Sequence, residues 1–423
     1  MKLSSNAKKA VLIGVLCSIS YFAVYIARNI LSVVTPQLLS ENVFSESFVG
    51  KISSLYFIFY AFGQLINGMI GEKIKAVYMI SFGLLLAGVS NIAFSFLTGY
   101  KYVALVAYAM TGFFLAMIYG PMTKVVAENT EPVHAERCSL GYTFASFFGS
   151  PAAGALAAIF AWKGVFAVGS GALWAMAAVI FISFTALEKK GVIQYNRYKR
   201  EKKQGAGVKA LFEHKIVKFS CVAALTGVVR TSVVFWLPTY LTQYLGYAEK
   251  TSAGIFSAAT LVISLTAFIT LFIYERLKRN RDLTVLLMFS LSTVFFTALY
   301  FVKIPVLNIG LIVLAIMSSN GAATILWSVY CPSLRDTGMV SSATGFLDFL
   351  SYMAAALSNV LFADAVTGIG WKNLILVWLG IVVLGVLIAL PYDKFRKRAV
   401  EIGSDETTET ESKEISPNEQ QVS

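Results

Sequence analysis

The sequence predicts an all-α membrane protein with twelve transmembrane helices. Three observations carry this. Apolar residues gather into continuous runs of about 18 or more, the length a helix needs to cross the hydrocarbon core. Only 14% of the residues are charged and 57% are hydrophobic, with mean hydropathy +0.70, whereas soluble domains carry about 25% charge. The basic residues concentrate on one side of the alternating loops. A β-barrel would need short alternating segments, and these runs are unbroken.

The spans are read at 11–39, 49–71, 77–98, 102–126, 138–161, 164–187, 216–244, 252–274, 283–302, 307–331, 340–366 and 371–391. The first follows Lys8 and Lys9, is too long for the core of a cleaved signal peptide, and is read as the targeting segment. The fifth and eleventh are rich in Gly, Ala and Ser. Small residues let membrane helices approach closely, which predicts burial inside the bundle. With both termini on one side, that side collects 27 of the 35 Lys and Arg. The other side holds six, Lys51, Lys101, Lys163, Lys250, Lys303 and Lys372, and two more lie inside spans. Basic loops stay in the cytoplasm, so both termini are expected there. The net charge of +12 is thus topology and contact with lipid headgroups, not a nucleic-acid surface. The lack of a transit peptide and of glycan-rich loops suits a bacterial inner membrane. Cys17, Cys138, Cys221 and Cys331 form no motif, so no disulfide framework or metal site is expected.

The chain divides into two halves. Residues 1–187 form an N-terminal six-helix bundle, 188–215 a basic cytoplasmic linker, and 216–392 a C-terminal six-helix bundle. Residues 393–423 form a tail whose low hydrophobicity predicts disorder. The halves read as repeats. Pro36 and Leu39 follow Arg28 by eight and eleven residues, and Pro238 and Leu241 follow Arg230 at the same offsets. Glu72-Lys73 begins 44 residues after Arg28, and Glu275-Arg276 begins 45 after Arg230. An internal duplication is a common construction of secondary transporters.

Arg28 is the 18th residue of its span and Arg230 the 15th of its own, too deep for either to reach a headgroup. Such an arginine costs about 2.5–3.5 kcal/mol on insertion scales, and intramembrane charge marks a substrate or ion path. A purely structural pairing would need acids, yet Asp348 is the one clearly intramembrane carboxylate, and it cannot neutralise two guanidinium groups. A guanidinium is a permanently charged planar fork that matches phosphate or carboxylate in a bidentate way. Two of them, one per repeat, suit a doubly charged, many-oxygen anion such as a phosphate ester. Tyr21, Tyr25 and Arg28 share one helix face, and the tyrosines are read as substrate-binding. Trp236 and Tyr240 are read likewise, with an interfacial aromatic belt as the competing account.

These residues resemble the major facilitator superfamily and, within it, the organophosphate:phosphate antiporter family. The resemblance rests on Tyr21, Tyr25, Arg28, Pro36 and Leu38 in the first span, and on Arg230, Trp236, Pro238, Thr239, Tyr240 and Leu241 in the seventh. Gly68–Lys75 and Gly120-Pro121 ahead of Lys124 extend it, so that it covers residues 8–400. It implies a two-bundle transporter in which Arg28 and Arg230 bind the phosphoryl group. It also implies that loop motifs brace the cytoplasmic ends, giving Glu72, Lys73, Glu275 and Arg276 a gating role. The sequence departs from the family pattern at Asn29 and Gln64, where lysines are common, and in having no histidine in FASFFGS. His134 and His214 are both assigned to loops.

The expected activity is exchange of a small organic anion, a phosphate ester, for inorganic phosphate by alternating access. Asp348 keeps open a coupling role, in which protons drive symport of a sugar acid or other carboxylate. A transport-inactive membrane sensor is the third reading. No metal-ligand spacing, nucleotide loop or nucleophile–base pair points to an enzyme or a cofactor, and no protein partner is predicted.

Overall fold

The structure is a computed structural model of the chain and describes residues 5–70, 74–195, 211–334 and 340–390. Among these residues there is no strand. The helices are α1 (Ser5–Ser40), α2 (Glu46–Ile70), α3 (Ala76–Phe96), α4 (Lys101–Asn129), α5 (Pro132–Ile159) and α6 (Trp162–Lys189), then α7 (Ile216–Gln243), α8 (Glu249–Arg276), α9 (Arg281–Phe301) and α10 (Pro305–Ser333). A last helical stretch, Val340–Ala389, passes through Gly370 at φ 76°. That left-handed conformation suits glycine and divides the stretch into α11 (340–369) and α12 (371–389).

Ten of the described helices are long and apolar enough to cross a membrane. The last of them, Ala343–Ala389, is two spans joined at Gly370. A further helix, α5 (28 residues), completes the twelve read from sequence. His134 lies in the first turn of α5, where Pro132 leads the helix, and not in a loop.

Several helices are broken for local reasons. α4 interrupts its regular bonding at Ala116–Ile118, just ahead of Gly120-Pro121; a proline lacks the N–H and crowds the preceding turn. α7 contains a π-helical turn, Val228–Val233, ahead of Pro238. α10 contains another, Leu326–Tyr330, ahead of Pro332. Such bulges widen the helix by one residue per turn and recur at functional sites.

Packing repeats between the halves. α1 lies on α5 and α7 lies on α11; α3 lies on α6 and α9 on α12. Across the halves, α2 packs along α11 and α5 packs along α8, the second helix of each half meeting the fifth of the other. Gly227 on α7 shows how close these approaches are. A Cβ there would collide with the backbone oxygen of Ser351 on α11.

Hydrogen bonds between the halves run from mid-depth to the end opposite the chain termini. Ser53 meets Asn359 at 2.9 Å, Ser47 meets Asp364 at 2.9 Å, and Gln243 binds Glu46 while accepting from Trp371 at 2.8 Å. At the end bearing the termini, polar ties among the described residues stay within a half. Lys75 reaches Glu188 at 2.7 Å, and Lys218 reaches Asp282 at 3.0 Å. The hydrogen bond to Glu188 raises the Lys75 ammonium above its ordinary range. The segment after α6 folds back, with Asn129 and Gln194 exchanging two hydrogen bonds at 3.0 and 2.8 Å. Residues 71–73, 196–210 and 391–423 lie outside the described residues, and with them Glu72, Lys73, most of the expected linker and the expected tail.

Candidate functional site

Arg28 and Arg230 face the same space. A cavity of about 200 Å³ between the halves is lined by Tyr25, Arg28, Asn29 and Ser32 of α1 and Phe57 of α2. Phe147 and Ser150 of α5 complete the N-terminal side. The C-terminal half adds Arg230, Thr231, Val234 and Phe235 of α7, Thr260, Ile263 and Ser264 of α8, and Asn320 of α10. Each arginine comes from the first helix of its half.

The two guanidinium groups differ in environment. Arg28 donates from Nη1 to the hydroxyl of Tyr352 on α11 at 3.0 Å. The rings of Tyr25, Phe57, Tyr60 and Tyr352 surround it, with centroids 5.4, 5.7, 5.1 and 5.0 Å from Cζ. Ring faces carry negative quadrupole density that offsets a desolvated cation. Arg230 sits in the π-helical turn, and its Nη2 is buried with no hydrogen-bond partner. No carboxylate among the described residues lies within 4.0 Å of either arginine. Asp348 on α11 is partly buried and feels the fields of Arg230 and Arg28 without an ion pair to either.

The other residues singled out from sequence are placed as follows. Tyr25 lines the cavity. Tyr21 is buried one turn before Tyr25, its ring 5.0 Å from Tyr25 and 5.5 Å from Tyr119. Trp236 and Tyr240 are fully buried in the C-terminal half and are not brought to the cavity. The Tyr240 hydroxyl is bound by Asn308, and its ring lies 5.5 Å from Trp371. They face neither the site nor a lipid belt. Val234 and Phe235 line the cavity with Arg230, because the π-helical turn at Val228–Val233 shifts the helix face by one residue. Glu275 and Arg276 are exposed; Glu275 is 4.0 Å from Arg279, and Arg276 lies over Phe272 at 5.1 Å. Neither reaches the other half. Glu72 and Lys73 lie outside the described residues.

Sequence reasoning missed the aromatic enclosure of Arg28 and the polar wall of Asn29, Ser32, Thr260 and Asn320. A signal was present. Phe57 and Tyr60 are spaced i, i+3, and Asp348 and Tyr352 are spaced i, i+4, each pair one helix face. Among the described residues there is no group of three or more His, Cys, Asp or Glu that could hold a metal.

A twelve-span, two-fold repeated bundle with a central site is the architecture of one large family, and the model of the Major Facilitator Superfamily matches residues 17–359. The chain belongs to the major facilitator superfamily. It is a multi-pass membrane transporter, of a family that moves small molecules rather than transforming them. The glycerol-3-phosphate transporter of Bacillus subtilis (strain 168) is 22% identical over 390 residues, 84% of this chain and 86% of that protein. The membrane sensor protein UhpC of Salmonella typhimurium is 28% identical over 96 residues, and that of Escherichia coli (strain K12) 29% over 80. Those matches span only 22% and 18% of the sensors. Among solved structures, an inward-facing, unoccupied bacterial homolog of the human lysosomal transporter Spinster superposes with TM-score 0.74 at 12% identity, over 90% of this chain and 96% of that one. A D-xylose–proton symporter superposes with TM-score 0.69 at 12% identity, over 90% of this chain and 97% of that one. At these identities the superpositions establish the fold.

Proposed function

We propose that this transporter carries a small organic anion, a phosphate ester, and exchanges it for inorganic phosphate. One observation carries the reading. Arg28 and Arg230, one from each half, line a single cavity, and no carboxylate among the described residues stands within 4.0 Å of them. An anion between them supplies the missing counter-charge. A phosphoryl group has enough oxygens for two guanidinium forks at once. The likeness to a glycerol-3-phosphate transporter over most of both chains points the same way.

Exchange follows from the electrostatics. Substrate contacts both halves best when the site is closed around it, so it favours the state through which the halves interconvert. The empty carrier holds two like charges apart and interconverts slowly. Cross-half hydrogen bonds at the end opposite the termini fit a state open toward the termini. The excess of basic residues on that side supports placing it in the cytoplasm of a cell with this protein in its inner membrane. Glu275 and Arg276, exposed at that end, would act in gating by closing against the opposite half.

Asp348 favours a second reading. An acid within the field of both arginines could exchange protons with the medium and drive symport of a sugar acid or other carboxylate. Proteoliposomes decide between them. Phosphate-loaded vesicles are expected to take up labelled phosphate, without response to a pH gradient, and Arg28→Lys or Arg230→Lys should abolish uptake. Absence of phosphate counterflow, or uptake unaltered in both variants, overturns the exchange reading.

A further inference from the structure

One of the hydrogen bonds between the halves reaches the site itself. Tyr352 belongs to α11 of the C-terminal half, yet its side chain is seated among residues of the N-terminal half. Its ring stacks on Phe57 with centroids 6.1 Å apart and planes 6° apart, and meets Tyr60 edge-on at 4.9 Å. Its hydroxyl accepts from Arg28 Nη1 at 3.0 Å, and Arg28 Cζ lies 5.0 Å from its ring centroid. Only 5% of the residue is exposed. Helices α1 and α2 form a socket, and α11 supplies the plug.

In that socket the phenol oxygen does for Arg28 what no carboxylate among the described residues is near enough to do. The Nη2 of Arg230 has no such acceptor. The phenol is neutral. An oxyanion holds a guanidinium more strongly and can do so at two points. Arg28 lines the cavity, so an anion seated there can take over the donor that the phenol holds.

We propose that Tyr352 is a positioning residue that holds Arg28 in the empty carrier and hands it to the incoming anion, so that movement of the halves depends on cargo. This rests on the anion-exchange reading above and names the side chain that enforces it. When the halves rock, α11 shifts against α1 and α2. Withdrawing Tyr352 from an empty site leaves a partly buried charged donor without its acceptor, a loss that slows the step. With an anion in place the donor keeps an acceptor, and the plug comes free.

The test compares two fluxes of labelled phosphate in proteoliposomes of the full chain, with the membrane potential clamped. One is exchange into phosphate-loaded vesicles, the other net uptake into phosphate-free ones. Tyr352→Phe keeps the ring and removes the acceptor. It should raise the ratio of net uptake to exchange at least about tenfold, the equivalent of about 1.4 kcal/mol. In titration calorimetry it should bind inorganic phosphate no more weakly than wild type, because the anion no longer displaces the phenol. A merely structural role would lower both fluxes together. An unchanged ratio therefore overturns the proposal and leaves phosphate exchange standing. So does weaker phosphate binding, which would make Tyr352 a ligand of the cargo. Wild type gives a check that needs no variant: net uptake as fast as exchange, with the tyrosine in place, overturns the proposal. Wild-type vesicles with no phosphate flux in either mode overturn the exchange reading and the proposal with it.

Discussion

Replacing each arginine in turn by methionine should move stability in opposite directions. Methionine keeps much of the length and removes the charge. Arg230 holds a buried Nη2 without a partner, and an unsatisfied buried donor costs about 1–3 kcal/mol, more when charged. The empty protein carries that cost, so Arg230→Met should stabilise it by about 1–3 kcal/mol. Arg28 is different. It would lose a hydrogen bond to Tyr352 at 3.0 Å, worth about 1.5–3 kcal/mol for a charged donor. It would also lose four ring contacts, each worth about 0.5–2 kcal/mol. Against these stands a recovered insertion cost of about 2.5–3.5 kcal/mol. The balance is a loss of about 1–7 kcal/mol for Arg28→Met. Thermal unfolding in buffer free of phosphate and sulfate, followed by tryptophan fluorescence, reads both signs. Added phosphate at a hundredfold its Kd should stabilise wild type by about 2.7 kcal/mol and neither variant. An Arg230→Met protein that melts below wild type without ligand would refute the reasoning, because it would mean that Arg230 is internally satisfied.

Three other outcomes follow from the geometry. Tyr240→Phe removes the bond to Asn308 within the C-terminal half; it should cost about 1–2 kcal/mol of stability and leave the KM for the cargo unchanged, as a kinetic comparison in vesicles would show. Ser47→Cys with Asp364→Cys joins the halves where those side chains meet at 2.9 Å, and oxidation should halt exchange until a thiol reductant restores it. Gly227→Val places a side chain against the Ser351 backbone and should prevent a monodisperse protein from being isolated, whereas Gly171→Ala, which meets nothing within 4 Å, should be silent.

The sequence announced its architecture because the membrane imposes it. Backbone groups in lipid must be satisfied within a helix, so long apolar runs leave little choice. The small-residue spans were legible for the same reason: α5 packs on both α1 and α8, and α11 on α2 and α7. The arginine pair was legible because a charge at bilayer depth has few explanations. What failed to show was local. The π-helical turn at Val228–Val233 shifts the helix face by one residue and has no side-chain signature. Trp236 and Tyr240 share a motif with Arg230 along the chain yet pack away from the cavity. Tyr352 lies 324 residues from Arg28, and only the fold brings them together.

The central claim is that one anion bridges Arg28 and Arg230. A structure determined with tungstate, a heavy tetrahedral oxyanion located by its anomalous scattering, tests it most directly. The account predicts one peak within hydrogen-bonding distance of both guanidinium groups, lost in Arg230→Met. A peak elsewhere, or none with a carboxylate seated on each arginine, would contradict it.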